Sequence, residues 1–245
     1  SFEGVKQTKG ELYDDLYKRG KQIFLNTSDE DLVQMAIGRG FVLGKDALPY
    51  IEGVVDAVTP FVEMKWRPAN VQPWRTTTTN LVGSYNIANL CAAVTIGLYF
   101  GITLEQIDHA LSTYYPTNSR SELRVAGSNQ LIIDAYNANP SSMAAALTNF
   151  SLMRDRHKMV ILGEMRELGA ESVEEHKKIV EQLQDMELER IWLVGSEFKK
   201  VAEGIRVFDD VEAVKIALKE EPISDMTILI KGSNGTKLHQ LPSLF

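Results

Sequence analysis

The sequence predicts an α/β protein whose second half carries a mostly parallel sheet, and three observations lead there. Short apolar runs recur at residues 131–133, 159–162, 191–194, 207–208 and 227–230. Helical patterns fill the gaps between them, and strands that alternate with helices of this length need crossovers, which give parallel pairing. Polar or glycine-rich segments follow the strands at 134–139, 163–169, 195–196 and 231–235. The first half is less regular and predicts a mixed sheet with helices.

In chain order, residues 6–17 predict a helix, followed by a short strand at 23–25 that ends on Asn26-Thr27-Ser28-Asp29. Residues 54–66 and 76–82 predict strands, with Pro60, Pro68 and Pro73 punctuating the connections. Gly83-Ser84-Tyr85-Asn86 opens a helix with the apolar stripe Ile87, Leu90, Val94 and Leu98, ended near Gly101. Residues 104–111 suggest another. A polar passage at 120–127 separates the halves and places the domain boundary between residues 122 and 123.

Beyond it, the run 131–133 enters a polar turn, and Asn139-Pro140-Ser141 gives a cap followed by Pro in the first helical turn. This gathers Asp134, Tyr136, Asn137 and Asn139 at the carboxyl end of a strand, where open α/β sheets bind ligands. On spacing alone the turn is equally an ordinary, well-capped βα loop. Met143, Leu147, Phe150 and Arg154 share one face of the next helix, with Arg154 at its polar end. Ile179, Leu183 and Met186 mark the following helix, and short helices are expected near 198–201 and 211–218.

The bulk numbers narrow the class. The 245 residues, 44% hydrophobic and 24% charged, suit a soluble globular protein with a substantial core. A formal charge of −7 argues against a nucleic-acid partner held by phosphate neutralisation. The single cysteine, Cys91, excludes an internal disulfide, fits a reducing compartment and is expected as a small core residue of a helix. No apolar run reaches the length of a membrane span and no leader is visible, so a cytoplasmic monomer is expected.

Several side chains are candidates for chemistry. Lys231-Gly232-Ser233-Asn234-Gly235 follows an apolar strand and is either an anion loop or a flexible turn with a solvated lysine. Gly163-Glu164-Met165-Arg166-Glu167-Leu168-Gly169 offers carboxylates for a cation and an arginine for an anion, or is a solvated loop. Asn86 is a possible cap, and Asn89 carries an amide that can pair with a purine edge. Arg120, between Ser119 and Ser121, is either a fixed cation for a phosphate or a surface arginine. His109, His157, His176 and His239 show no metal-ligand spacing with Cys91, and His176, after Glu174-Glu175, is expected in solvent. No G-x-x-x-x-G-K-[ST] phosphate loop is present.

Gly83-Ser84-Tyr85-Asn86-Ile87-Ala88-Asn89 with Ala92-Ala93 resembles the H-N-x-x-N-x-x-A-A helix of the Mur ligases, ATP-dependent amide-forming enzymes of peptidoglycan synthesis. Arg120 falls at that family's arginine after the central domain, and Asp134 at its aspartate after the first strand of the last domain. Within the family, Asp134-Ala135-Tyr136-Asn137-Ala138-Asn139-Pro140, Gly163–Gly169 and Lys231-Gly232-Ser233 resemble the MurF type, which joins D-alanyl-D-alanine to UDP-N-acetylmuramoyl-tripeptide. The resemblance implies the end of a central ATPase domain over 1–122 and a Rossmann-like C-terminal domain over 123–245.

It also implies an acyl-phosphate mechanism: ATP phosphorylates the tripeptide carboxylate, the dipeptide amine attacks, and collapse releases phosphate. By the same likeness Asn89 contacts adenine, and Arg120 and Asp134 hold the ribose and phosphates. Tyr136, Asn137, Asn139, Lys231 and Ser233 face the peptide substrates. Lys9 matches a lysine whose carbamate assists catalysis by helping to ligate magnesium. Tyr85 departs from the family's usual histidine. Family chains carry a UDP-sugar domain and a phosphate loop upstream of the segment resembling residues 1–12, so the chain is expected to be a fragment, inactive by itself. The rival readings are a related ligase with another acceptor (a third-residue-adding Mur ligase or a folylpolyglutamate synthase) and a nucleotide-binding α/β module without ligase chemistry.

Overall fold

The apolar spacing of the chain is realised as helices joined to two sheets in a computed structural model, which describes residues 2–42, 51–58, 60–117, 119–155 and 157–245. In the first half, α1 (Phe2–Lys18) is followed by α2 (Glu30–Ile37). Asp29 starts α2 by accepting at its side chain from the Leu32 N–H at 3.1 Å, with Glu30 and Asp31 in the positive first turn. The strand expected at 23–25 does not form. A three-residue apolar run without a neighbour has nothing to satisfy its backbone groups, so β propensity alone fails there. Phe24 instead meets the edge of the Tyr99 ring at 5.2 Å.

The long apolar segment 54–66 is two strands, β1 (Ile51–Val58) and β2 (Phe61–Pro68), which with β3 (Arg75–Val82) form a sheet of order β1-β2-β3. Trp66 is fully buried and donates from Nε1 to Thr77 Oγ1 at 2.9 Å, which in turn donates to Asp108 Oδ1 at 2.6 Å. A 3-10 turn (Ser84–Asn86) leads into α3 (Ile87–Tyr99), and α4 (Leu104–Thr113) follows. Leu90 and Val94 of the expected stripe are buried, whereas Cys91 is only half-buried. Its thiol lines a cavity of about 310 Å³ with Asn26, Glu52 and Thr95, and burial raises its pKa.

The polar passage expected at 120–127 contains a strand, β4 (Glu122–Ala126), paired antiparallel to β5 (Asn129–Asp134). Gly127, at φ 60°, makes the hairpin turn that polarity had disguised as a linker. Then come α5 (Pro140–Leu152), β6 (Lys158–Gly163), α6 (Ser172–Gln184), β7 (Arg190–Val194), α7 (Ser196–Lys199), β8 (Arg206–Phe208), α8 (Val211–Glu220) and β9 (Thr227–Lys231). Arg154 lies beyond α5, whose C-cap is Met153. The Lys158 ammonium, not Arg154, reaches the terminal carbonyls of Ser151 and Met153 at 3.1 and 3.3 Å.

The second sheet has the order β4-β5-β9-β6-β7-β8, parallel from β5 onward. Alternate residues serve opposite faces. Ile132, Val160, Leu162, Leu193 and Leu229 pack with α5 and α6, while Leu131, Ile133, Met159, Ile161, Ile228 and Ile230 pack with α8 and the C-terminal 3-10 segment. The chain divides into two compact units, Ser1–Val54 with Met64–Thr77 and Ile87–Leu111, and Val55–Glu63 with Thr78–Asn86 and Ser112–Phe245. No helix among the described residues is long and apolar enough to cross a membrane.

Candidate active site

Parallel register aligns the carboxyl ends of the central strands. Asp134 of β5 pairs with Lys231 of β9, Lys231 with Leu162 of β6, and Gly163 with Val194 of β7. The loops 134–139, 231–235 and 163–169 therefore leave neighbouring strands on one edge. The chain passes from β5 to β6 and returns later to place β9 between them, and such a switch in strand order opens a crevice. Gly163 and Gly232 make this edge tight. A Cβ on Gly232 would lie 2.9 Å from Gly163 Cα, and one on Gly163 would lie 2.5 Å from Thr236 Oγ1.

Beneath the loops lies a buried ion pair. Lys231 is 1% exposed, and its Nζ stands 2.5 Å from Asp134 Oδ2 and 3.4 Å from the Asn137 carbonyl. The solvated lysine on a flexible turn is thereby overturned. An ammonium taken out of water requires a close counter-charge, and Asp134 supplies it. Tyr85 adds its hydroxyl at 3.5 Å from the same oxygen, and burial, reinforced by the Asp134 charge, pushes the phenol pKa well up. Asn86 is buried, and its Nδ2 donates to the Val82 carbonyl at 3.0 Å and to Ser121 Oγ at 3.0 Å.

Around this pair, Arg120 lays its guanidinium 3.8 Å over the half-exposed Tyr136 ring. Asn137 is exposed and bonds its own loop, its Oδ1 accepting from the Ala138 N–H at 2.9 Å. Asn139 caps α5 by accepting from Ser142 N at 2.8 Å, while Ser142 Oγ accepts from Asn139 N at 3.2 Å. Ser233 is buried, and its Oγ accepts from Arg166 N at 3.1 Å.

His176, expected in solvent, is fully buried. Its Nε2 accepts from Met165 N at 2.9 Å, which leaves the ring proton on Nδ1 to go to the Ser172 carbonyl at 2.7 Å. The signal was present in the sequence: His176, Ile179, Val180 and Leu183 follow i, i+3, i+4 and i+7 along α6. Glu164 Oε2 accepts from Glu197 N at 3.2 Å, and Ser172 Oγ donates to Glu197 Oε2 at 2.7 Å. The Glu197 carboxyl is held below its ordinary range by the Lys200 ammonium first and by Ser172 second. Glu164, Arg166, Gly195, Asp210 and Lys237 line a cavity of about 200 Å³ here.

The larger unit thus brings together Arg120, Asp134, Tyr136, Asn137, Asn139, Lys231 and Ser233, and adds Tyr85, Ser121, Glu164, Arg166 and His176. Lys9 on α1 and Asn89 on α3 are exposed residues of the other unit.

Comparison with known proteins finds a family match that includes this edge. Residues 119–234 match the family model described as the Mur ligase, glutamate ligase domain. The match covers just under half of the chain. A curated relative from Bacillus subtilis (strain 168), named UDP-N-acetylmuramoyl-tripeptide–D-alanyl-D-alanine ligase, is 33% identical over 172 residues, covering 66% of this chain and 38% of the relative. Among solved structures, the D-alanyl-D-alanyl ligase of Acinetobacter baumannii superposes with a TM-score of 0.74 at 22% identity, over 98% of this chain and 54% of that one. MurF from Thermotoga maritima in complex with ADP gives 0.70 at 19%, over 89% and 51%. The two structures share the fold, and the chain spans about two fifths of the length of the Bacillus relative.

Proposed function

We propose that residues 123–245 form the last domain, and residues 1–122 part of the preceding ATP-binding domain, of a ligase of the MurF type. In this reading the protein works as a cytoplasmic monomer in peptidoglycan synthesis. It couples ATP cleavage to joining D-alanyl-D-alanine to UDP-N-acetylmuramoyl-tripeptide. The observation that carries the reading is the buried Asp134–Lys231 pair beneath three polar loops on neighbouring parallel strands.

The γ-phosphoryl group passes from ATP to the tripeptide carboxylate, giving ADP and an acyl phosphate. The dipeptide amine attacks the acyl carbon and loses a proton. Collapse of the tetrahedral adduct expels inorganic phosphate and leaves the amide. Arg120, its plane supported by Tyr136, presents edge N–H groups to phosphate oxygens. Asp134 accepts from a ribose hydroxyl, and Asn89 pairs with adenine. Tyr136 and Asn137 face the peptide. Asn139 holds the helix start beside them, and Ser233 holds the neighbouring loop. Lys231, turned inward, acts through its fixed charge and its hold on Asp134 and Asn137.

Magnesium, when bound, would offset phosphate charge, and Lys9 as a carbamate would offer it oxygen. Among the described residues no three His, Cys, Asp or Glu side chains gather as a metal set, so no step is assigned to the ion. Phosphate release by the complete gene product containing this chain tests the proposal. Release that requires ATP, the tripeptide nucleotide and D-alanyl-D-alanine together is expected. Preference for a single amino acid as acceptor would overturn it.

A further inference from the structure

Tyr85 has no part in the roles assigned above. It sits in the turn after β3 with its ring against the apolar layer of α5 and α6. Gly83 has φ 97°, and a Cβ there would lie 2.3 Å from the Tyr85 ring, so only glycine lets the ring fold back. Folding back carries Oη to 3.1 Å from Ser121 Oγ and 3.5 Å from Asp134 Oδ2. Ser121 is buried at a left-handed φ of 53°, and Ser119, on the other side of Arg120, has φ 56°. Arg120 is thus carried on a doubly kinked segment that the Ser121 hydroxyl ties to the turn.

Counting protons gives this cluster a direction. Asn86 Nδ2 can only donate, so Ser121 Oγ accepts there, and because the one Tyr85 proton goes to Asp134 Oδ2, Ser121 Oγ donates to Tyr85 Oη. Tyr85 Oη then gives its proton to the carboxylate, the strongest acceptor in the set. Each donor in the series Asn86, Ser121, Tyr85 points toward Asp134. Asp134 Oδ2 is filled by Lys231 and Tyr85. Oδ1 makes no hydrogen bond among the described residues, and no buried side-chain oxygen lacks a partner, so Oδ1 touches solvent.

We infer that Tyr85 is a positioning residue: with Ser121 it fixes the Asp134 carboxylate so that Oδ1 is presented to a ligand hydroxyl, and it ties the Arg120 segment to the same carboxylate. The identity of that ligand rests on the nucleotide-binding reading above. Burial keeps the phenol protonated, so the donor persists across the physiological pH range.

The test uses this chain with Tyr85→Phe, Tyr85→His and Ser121→Gly, the last removing the hydroxyl while relaxing the left-handed backbone. Calorimetry with ADP and carbon-13 NMR of the Asp134 carboxyl without nucleotide are read together. Tyr85→Phe is expected to move the Asp134 carboxyl resonance and to weaken ADP about 5- to 10-fold, the worth of one ordinary hydrogen bond. Tyr85→His should restore affinity to within about twofold of the parent by returning a donor. Ser121→Gly should move the same resonance. An Asp134 resonance unmoved in both Tyr85→Phe and Ser121→Gly overturns the inference whatever ADP does. A moved resonance in a parent chain that binds no ADP supports the positioning role and removes the nucleotide as its purpose.

Discussion

Two loops of the larger unit, 134–139 and 163–169, leave the parallel strands on either side of β9 and are fastened by opposite means. The first rests on a full ion pair, Lys231 with Asp134, drawn almost entirely out of water. The second rests on a neutral histidine that takes one backbone N–H and gives its proton to one backbone carbonyl. A buried charge pair holds strongly only while both partners are present, because either one alone is an uncompensated charge. A buried neutral ring holds more weakly, and its loss leaves a single unsatisfied N–H.

The largest expected effect breaks the first fastening. Lys231→Met leaves the Asp134 charge buried and should cost about 3–5 kcal/mol in urea denaturation. Adding Asp134→Asn should recover much of that loss. A single variant within about 1 kcal/mol of the parent would show that the pair is not what holds this loop. Next, His176→Phe keeps the contact with Phe198 but leaves Met165 N without an acceptor. It should cost about 1–3 kcal/mol and speed hydrogen exchange at Met165 while leaving exchange at Asn137 unchanged.

The smallest effects separate the loops by pH. Tyr85 has a raised folded pKa, so its contribution is complete below the unfolded tyrosine value and is lost as pH rises toward the folded one. The first loop should therefore weaken in alkali, and Tyr85→Phe should remove that sensitivity. Glu197 has a lowered folded pKa, so its contribution is present above the unfolded carboxylate value and is lost as pH falls through the folded one. The second loop should loosen in acid, and Glu197→Gln should flatten the acid limb. Melting temperature against pH for the two variants measures both, and parallel profiles would erase the distinction.

Much of this was written in local sequence. The runs ending at Ile133, Leu162, Val194, Phe208 and Ile230 all became strands, because five apolar runs separated by helical patterns admit few other pairings. The gathering of Asp134, Tyr136, Asn137 and Asn139 in one turn was legible for the same reason, since a capped turn after a strand keeps its own residues together. Long-range partners were not legible. Nothing near Lys231 in sequence names Asp134, 97 residues away, and nothing near Tyr85 names Ser121. His176 was misread from its acidic neighbours although its helical spacing pointed inward.

The sequence by itself determined the strand–helix alternation, the capped turn at Asn139 and the polar residues that end each strand. Periodicity and capping act within a few residues, so one chain read from end to end contains them. Only the tertiary structure decided that β9 enters between β5 and β6, that Lys231 turns inward and that Tyr85 reaches Asp134. Those outcomes depend on which distant groups meet once the apolar faces are buried, and on the cost of leaving a buried charge or donor unpaired.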